Sequence, residues 1–198
     1  MIKIVKPNYK LPEYCNVVNT TSRSDNWSKG LSPFHLGPVD LYDGYKSFNV
    51  ENAWQYSKVY YNHVDKNDDP APEYFEWAQK GWKRTQADRY PMGKGVMPLY
   101  SWWDGKKYSY IEARKQIYIP LYSKAVKDTF AFKKLKELYV DCYFNQCEIL
   151  YLIDFDAHNL PAEYDYDCKF EKLWNNPEIK VGHAYVLAMM LSDYIKNG

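Results

Sequence analysis

The sequence predicts an α+β fold, a helix-dominated single domain over residues 1–198 built around a small sheet. Three observations predict it. Helical hydrophobic patterns recur along the chain, only two short runs read as strand, and 198 residues with 46% apolar side chains are enough for one core.

The elements follow in order. Met1-Ile-Lys-Ile-Val-Lys-Pro7 has no apolar h-region and no small-residue cleavage site, so no signal peptide is expected and the expected compartment is the cytoplasm. Residues 15–37 are rich in Asn, Thr, Ser, Gly and Pro and read as loop. Val39–Tyr42 alternates as a short strand and closes on the Asp43-Gly44 turn signal. Asn49 can cap a helix from Val50, with Glu51 in its first turn, and the pattern carries it to about His63. Asp65–Pro72 breaks the pattern. A second helix is expected over Glu73–Gln86, with Tyr74, Trp77, Ala78 and Gly81 near one face. Arg89–Trp103, punctuated by Pro91, Gly93, Gly95 and Pro98, reads as irregular. Tyr108–Tyr118 reads as helix, which Pro120 should kink or restart. Phe130–Tyr139 is a basic amphipathic helix, and Glu148–Phe155 a buried strand ending in acids. Val181–Lys196, apolar almost all round, reads as the central core helix. Its apolar run falls short of the roughly 18–20 residues that cross a bilayer, so no membrane partner is expected.

Charge restricts function. With 26 basic and 25 acidic side chains the net charge is +1, which speaks against holding nucleic acid through a broad basic face but leaves room for one charged pocket. The outlier is aromatic: 21 Tyr, 8 Phe and 7 Trp suit both a core, as in Tyr56–Tyr61 and Phe130–Phe132, and the stacking of a flat ligand. The cysteines Cys15, Cys142, Cys147 and Cys168 match no zinc spacing and are expected to be free thiols. His35, His63 and His158 form no triad or metal set, and His183 reads as a hydrogen-bonded core residue.

Three groupings can carry chemistry. Glu51, Trp54, Gln55 and Lys58 are spaced i, i+3, i+4 and i+7, which places a carboxylate, an indole, an amide and an ammonium on one helical face. That stripe fits a polar, partly flat ligand and equally an ordinary solvated face. The Arg89-Tyr-Pro-Met-Gly-Lys94 loop offers cations and backbone N–H groups to phosphate, without a Walker or dinucleotide fingerprint. Asp154 and Asp156 follow the buried strand, where carboxylates either face a cleft or cap the next turn. The acids Glu163, Asp165 and Asp167 beyond them read as a solvated loop.

Taken in order, these pieces resemble the NADAR family, N-glycosidases acting on ribose-phosphate compounds, and the arrangement is similar to the T-even bacteriophage version of that family. The likeness rests on Leu31-Ser32-Pro33-Phe34, the Val39–Tyr42 strand with Asp43-Gly44, and Glu51-Asn52-Ala-Trp54-Gln55-Tyr-Ser-Lys58. It continues through Arg89–Lys94, Tyr110–Tyr118, the late acid at Asp154 or Asp156, and Val181–Leu191. Asn52 stands where the family has His, and Tyr110 where it has Trp. The resemblance implies a NADAR-like fold that cleaves the bond between ribose C1′ and a base nitrogen, with ADP-ribose on guanine in DNA as the substrate. It implies catalysis by Glu51, Lys58 and Asp154 or Asp156, with no cofactor and no metal. Phosphates would rest on Arg89 and Lys94, and the base would stack on Trp54, Trp102 or Tyr110. Ser32, Phe34, Asn52 and Gln55 would complete substrate binding. It also implies a bacteriophage counter-defence role in the host cytoplasm, against a toxin that ADP-ribosylates DNA. A second reading is a catalytically inactive shell that binds such a host toxin or another defence protein directly.

Overall fold

A computed structural model of the chain describes residues 1–144, 149–158 and 170–197. Cys147, Cys168, Glu148 and the acids Glu163, Asp165 and Asp167 lie outside the described residues. The elements run β1 (Ile2–Val5), β2 (Asn16–Asn19), a 3-10 turn (Trp27–Leu31), β3 (Val39–Asp40), β4 (Lys46–Ser47), α1 (Val50–Gln55) and β5 (Lys58–Val59). A short 3-10 turn at Tyr61–His63 leads to α2 (Pro72–Trp82), β6 (Tyr100–Trp103), β7 (Lys106–Tyr108) and α3 (Tyr110–Ala113). A π-helical stretch (Arg114–Tyr118) then precedes α4 (Ile119–Val126), α5 (Phe130–Phe144), β8 (Leu150–Ile153), α6 (Phe170–Asn175) and α7 (His183–Asn197). Helices and small sheets together make the fold α+β. The chain divides into two compact units, Met1–Ser32 with Tyr122–Gly198, and Pro33–Leu121.

The first unit holds a three-stranded parallel sheet in the order β1-β8-β2. Leu150 is in register with both Ile2 and Asn16, so β8 is the middle strand. A middle parallel strand is covered on both faces, which is why Leu150, Tyr151 and Leu152 are all buried and read as one apolar run. Ala184 to Ala188 and Leu191 are buried too, so α7 is a core helix as its pattern predicts. Two expectations are corrected here. The loop expected over residues 15–37 contains β2, a strand because β8 offers it a partner edge, and a 3-10 turn capped by the Asn26 side chain. Phe130, expected in the core, is exposed at the start of α5, while Phe132 is buried.

The second unit contains the β3–β4 hairpin and an antiparallel sheet in the order β5-β6-β7. Asp43 and Gly44 both take positive φ, 51° and 76°, as a two-residue turn of this kind requires. Asp104 and Gly105 do the same between β6 and β7, at 47° and 75°, so part of the segment read as irregular is a hairpin. Asn49 caps α1 through a 2.7 Å bond from the Asn52 N–H, but the helix stops at Gln55 rather than near His63. Ser57 Oγ returns a bond to the Trp54 carbonyl, and Lys58–Val59 leaves to pair with Tyr100–Ser101. The β-branched Val59 and its aromatic neighbours favour that strand over continued helix. Similarly α2 ends at Trp82, not Gln86. Ser109 and Glu112 form a capping box, so α3 begins one residue after Ser109. The π-helical stretch lies just ahead of Pro120, whose ring and missing N–H disfavour the regular i to i−4 pattern there. Tyr56, Val59, Tyr74, Ala78 and Trp82 form the core of this unit, and Tyr61, expected within it, is exposed.

Candidate functional site

Early termination of α1 does not scatter the predicted stripe. Gln55 Nε2 donates to Glu51 Oε1 at 2.8 Å, and Lys58 Nζ donates to Gln55 Oε1 at 2.7 Å. The charged ends fix the amide: its NH2 must face the carboxylate and its oxygen the ammonium. Lys58 Nζ also lies 4.9 Å from the centre of the Trp54 ring, a cation–π distance, and that indole packs on Tyr118 at 5.3 Å. Glu51 and Gln55 are buried, while Trp54 and Lys58 are half-buried. The result is a row of carboxylate, amide and ammonium beside a partly open indole.

Two hydrogen bonds tie the Arg89–Lys94 loop to this row. Asn52 Oδ1 accepts from the Asp88 N–H at 2.8 Å, so the loop leaves from a residue adjacent to Glu51. Leu99 N–H donates to the Val59 carbonyl at 2.8 Å, so it returns beside Lys58. Asp88 is braced further by the Tyr56 hydroxyl at 2.7 Å and by Arg84 Nε at 2.6 Å. Burial and that carboxylate together push the Tyr56 phenol well above its usual range. Arg89 and Lys94 are both exposed, and Arg89 lies over the Tyr90 ring.

The other predicted residues occupy different places. Asn52 is fully buried and spends its side chain on backbone, donating to the Arg84 and Gln86 carbonyls at 3.0 Å each and accepting from Asp88. It serves as a structural clamp. Trp102 packs on Phe75 and the core around Val59. The reason is strand alternation: Lys58 is paired with Ser101, so Trp102 points to the opposite side of the sheet. Tyr110 is exposed, with the Arg114 guanidinium over its ring at 4.7 Å. Phe34 is half-buried in the second unit, and Ser32 is buried in the first.

Asp154 and Asp156 belong to the first unit, after β8. Asp154 is buried, and both its oxygens accept backbone N–H groups, Oδ1 from Asp156 at 3.0 Å and Oδ2 from Ala184 at 3.1 Å. Oδ2 also lies 3.3 Å from His183 Nδ1, while His183 Nε2 donates to the Thr20 carbonyl at 2.7 Å. A Cβ on Gly182 would come within 2.5 Å of that same oxygen, so glycine is what lets the carboxylate reach the start of α7. His183 is thus the hydrogen-bonded core residue expected, with Asp154 as an unexpected partner. Arg114, fully buried in the π-helical stretch, is a further charged residue that its sequence context did not single out. Among the described residues no group of His, Cys, Asp and Glu could hold a metal ion, and no helix is long and apolar enough to cross a membrane.

A model for a family of unknown function, DUF6939, matches residues 3–163. The chain belongs to the DUF6939 family. No curated protein matches it. The DUF6939 match spans the Glu51–Gln55–Lys58 row, the Arg89–Leu99 loop and Asp154, and ends before His183.

Proposed function

We propose that this DUF6939 chain is a NADAR-like hydrolase that cleaves an N-glycosidic bond of a ribose-phosphate compound, with ADP-ribose on guanine in DNA as the substrate. The observation that carries the reading is the Glu51–Gln55–Lys58 row beside the Trp54 indole. As the base leaves, positive charge develops at ribose C1′, and a buried carboxylate is suited to stabilise it and to take a proton from the attacking water. That water supplies oxygen to C1′, and the departing guanine nitrogen ends protonated. Lys58 binds a phosphate or, as a neutral amine, condenses with the aldehyde of the opened ribose. Trp54 offers a ring for stacking, and Arg89 and Lys94 offer cations to phosphates. A counter-defence role against a DNA-modifying toxin follows from the same proposal.

The test is direct. An oligonucleotide carrying ADP-ribosyl-guanine should release ADP-ribose when incubated with the protein, as read by mass spectrometry. Glu51→Ala should slow release by about 100-fold or more, the usual share of a general base. A wild-type protein that leaves the oligonucleotide untouched removes the reading.

A further inference from the structure

We propose that Arg89–Leu99 is the loop through which the protein engages double-stranded DNA, with Met97 entering the base stack beside the modified guanine; this rests on the glycosidase reading above. The loop carries Arg89 and Lys94, contains no Asp or Glu in its own sequence, and ends in the apolar run Val96-Met97-Pro98-Leu99. That run points outward: Met97 is 80% exposed, and Tyr90, Val96 and Leu99 are about half-exposed. Apolar side chains presented to water beside cations match the chemistry of a nucleic acid, which offers phosphates outside and apolar base faces within.

The anchors give the loop its relevance to catalysis. One end is bonded through Asp88 to Asn52, next to Glu51, and the other through Leu99 to Val59, next to Lys58. The loop is thus tethered at both ends to residues one position along the chain from Glu51 and Lys58, and a base must leave its stack for such a row to reach it. Gly93 and Gly95 take positive φ, 101° and 89°, conformations that let so short a segment turn back on itself between its anchors. A methionine inserted between base steps takes over the stacking that the extruded guanine gives up.

The experiment uses a duplex bearing one ADP-ribosyl-guanine with 2-aminopurine as its 3′ neighbour, mixed with the protein in a stopped-flow fluorimeter. The wild type should raise 2-aminopurine fluorescence, Met97→Ala should not, and Met97→Phe should restore the rise. In parallel, Met97→Ala should lower kcat/KM on the duplex by about tenfold, leaving the single-stranded oligonucleotide within about twofold, because only the duplex requires unstacking. A fluorescence rise as large in Met97→Ala as in the wild type, or no rise in either, overturns the loop assignment. Failure to hydrolyse either strand form overturns the glycosidase reading instead, and the fluorescence still decides the loop. Met97 is too exposed for its truncation to unfold the protein, and matched circular dichroism checks this.

Discussion

Asn52 illustrates how one side chain can be assigned by its bonds. The NADAR resemblance places it at a substrate-binding position, yet its amide joins three backbone groups of residues 84–88 and its own N–H is held by the Asn49 cap. A residue with its hydrogen bonds committed in this way sets the path of the chain. Asn52→Ala would strand two carbonyls and one N–H, and it should lower the free energy of unfolding by about 1–3 kcal/mol, measured by urea denaturation. It should also loosen the start of the Arg89 loop. Loss of activity without loss of stability would return Asn52 to the substrate. Gly81 is fixed by a different constraint, since a Cβ there would sit 2.1 Å from the Tyr56 ring, inside the aromatic core.

Elements show which parts of the sequence are legible. The Asn49 cap, the Asp43-Gly44 turn and the α7 core face are local patterns, and each is found where the pattern puts it. The stripe of Glu51, Trp54, Gln55 and Lys58 assembles although Lys58 is on a strand, because a tight turn at Ser57 returns the chain to the helix flank. The β6–β7 hairpin goes unread in the segment that reads as irregular, although Asp104-Gly105 is the same dipeptide signal as in β3–β4. By contrast β1 and β2 owe their existence to β8, a partner at the far end of the chain, and Asp154 meets His183 from a separate element. No local window carries such information. The turn after β5 adds a pH effect. His63 is buried against Trp77 at 4.5 Å, its Nδ1 has no hydrogen-bond partner among the described residues, and burial pushes its pKa below the ordinary 6.5. Below that value the unfolded chain takes up a proton that the folded chain resists, so His63 costs stability as pH falls through 6.5 toward its lower folded value. Denaturation midpoints measured at about pH 7.5 and 5.5 should drop less in His63→Phe than in the wild type. An identical drop would show that His63 is not the group responsible.

At the scale of the whole molecule, charge is the property that constrains recognition most. A net charge of +1, from 26 bases and 25 acids, leaves no general attraction to a polyanion. Any DNA affinity must therefore come from a few local cations together with apolar contacts, and Arg89 and Lys94 on one exposed loop are such cations. Counterion release then fixes an observable. Two neutralised phosphates give a slope of about −2 in log K against log salt on a duplex, whereas a broad basic face neutralising six or more gives about −5 or steeper. Fluorescence anisotropy of a labelled duplex across about 50–200 mM salt should give the shallow slope, and Arg89→Ala should reduce it by about one. Met97→Ala should weaken binding while leaving the slope where it was, because an apolar side chain releases no counterions. A steep wild-type slope, or one that Arg89→Ala leaves unchanged, would move the DNA-facing surface away from this loop. The two variants thus separate the electrostatic part of recognition from the apolar part, which a binding constant at one salt concentration would merge.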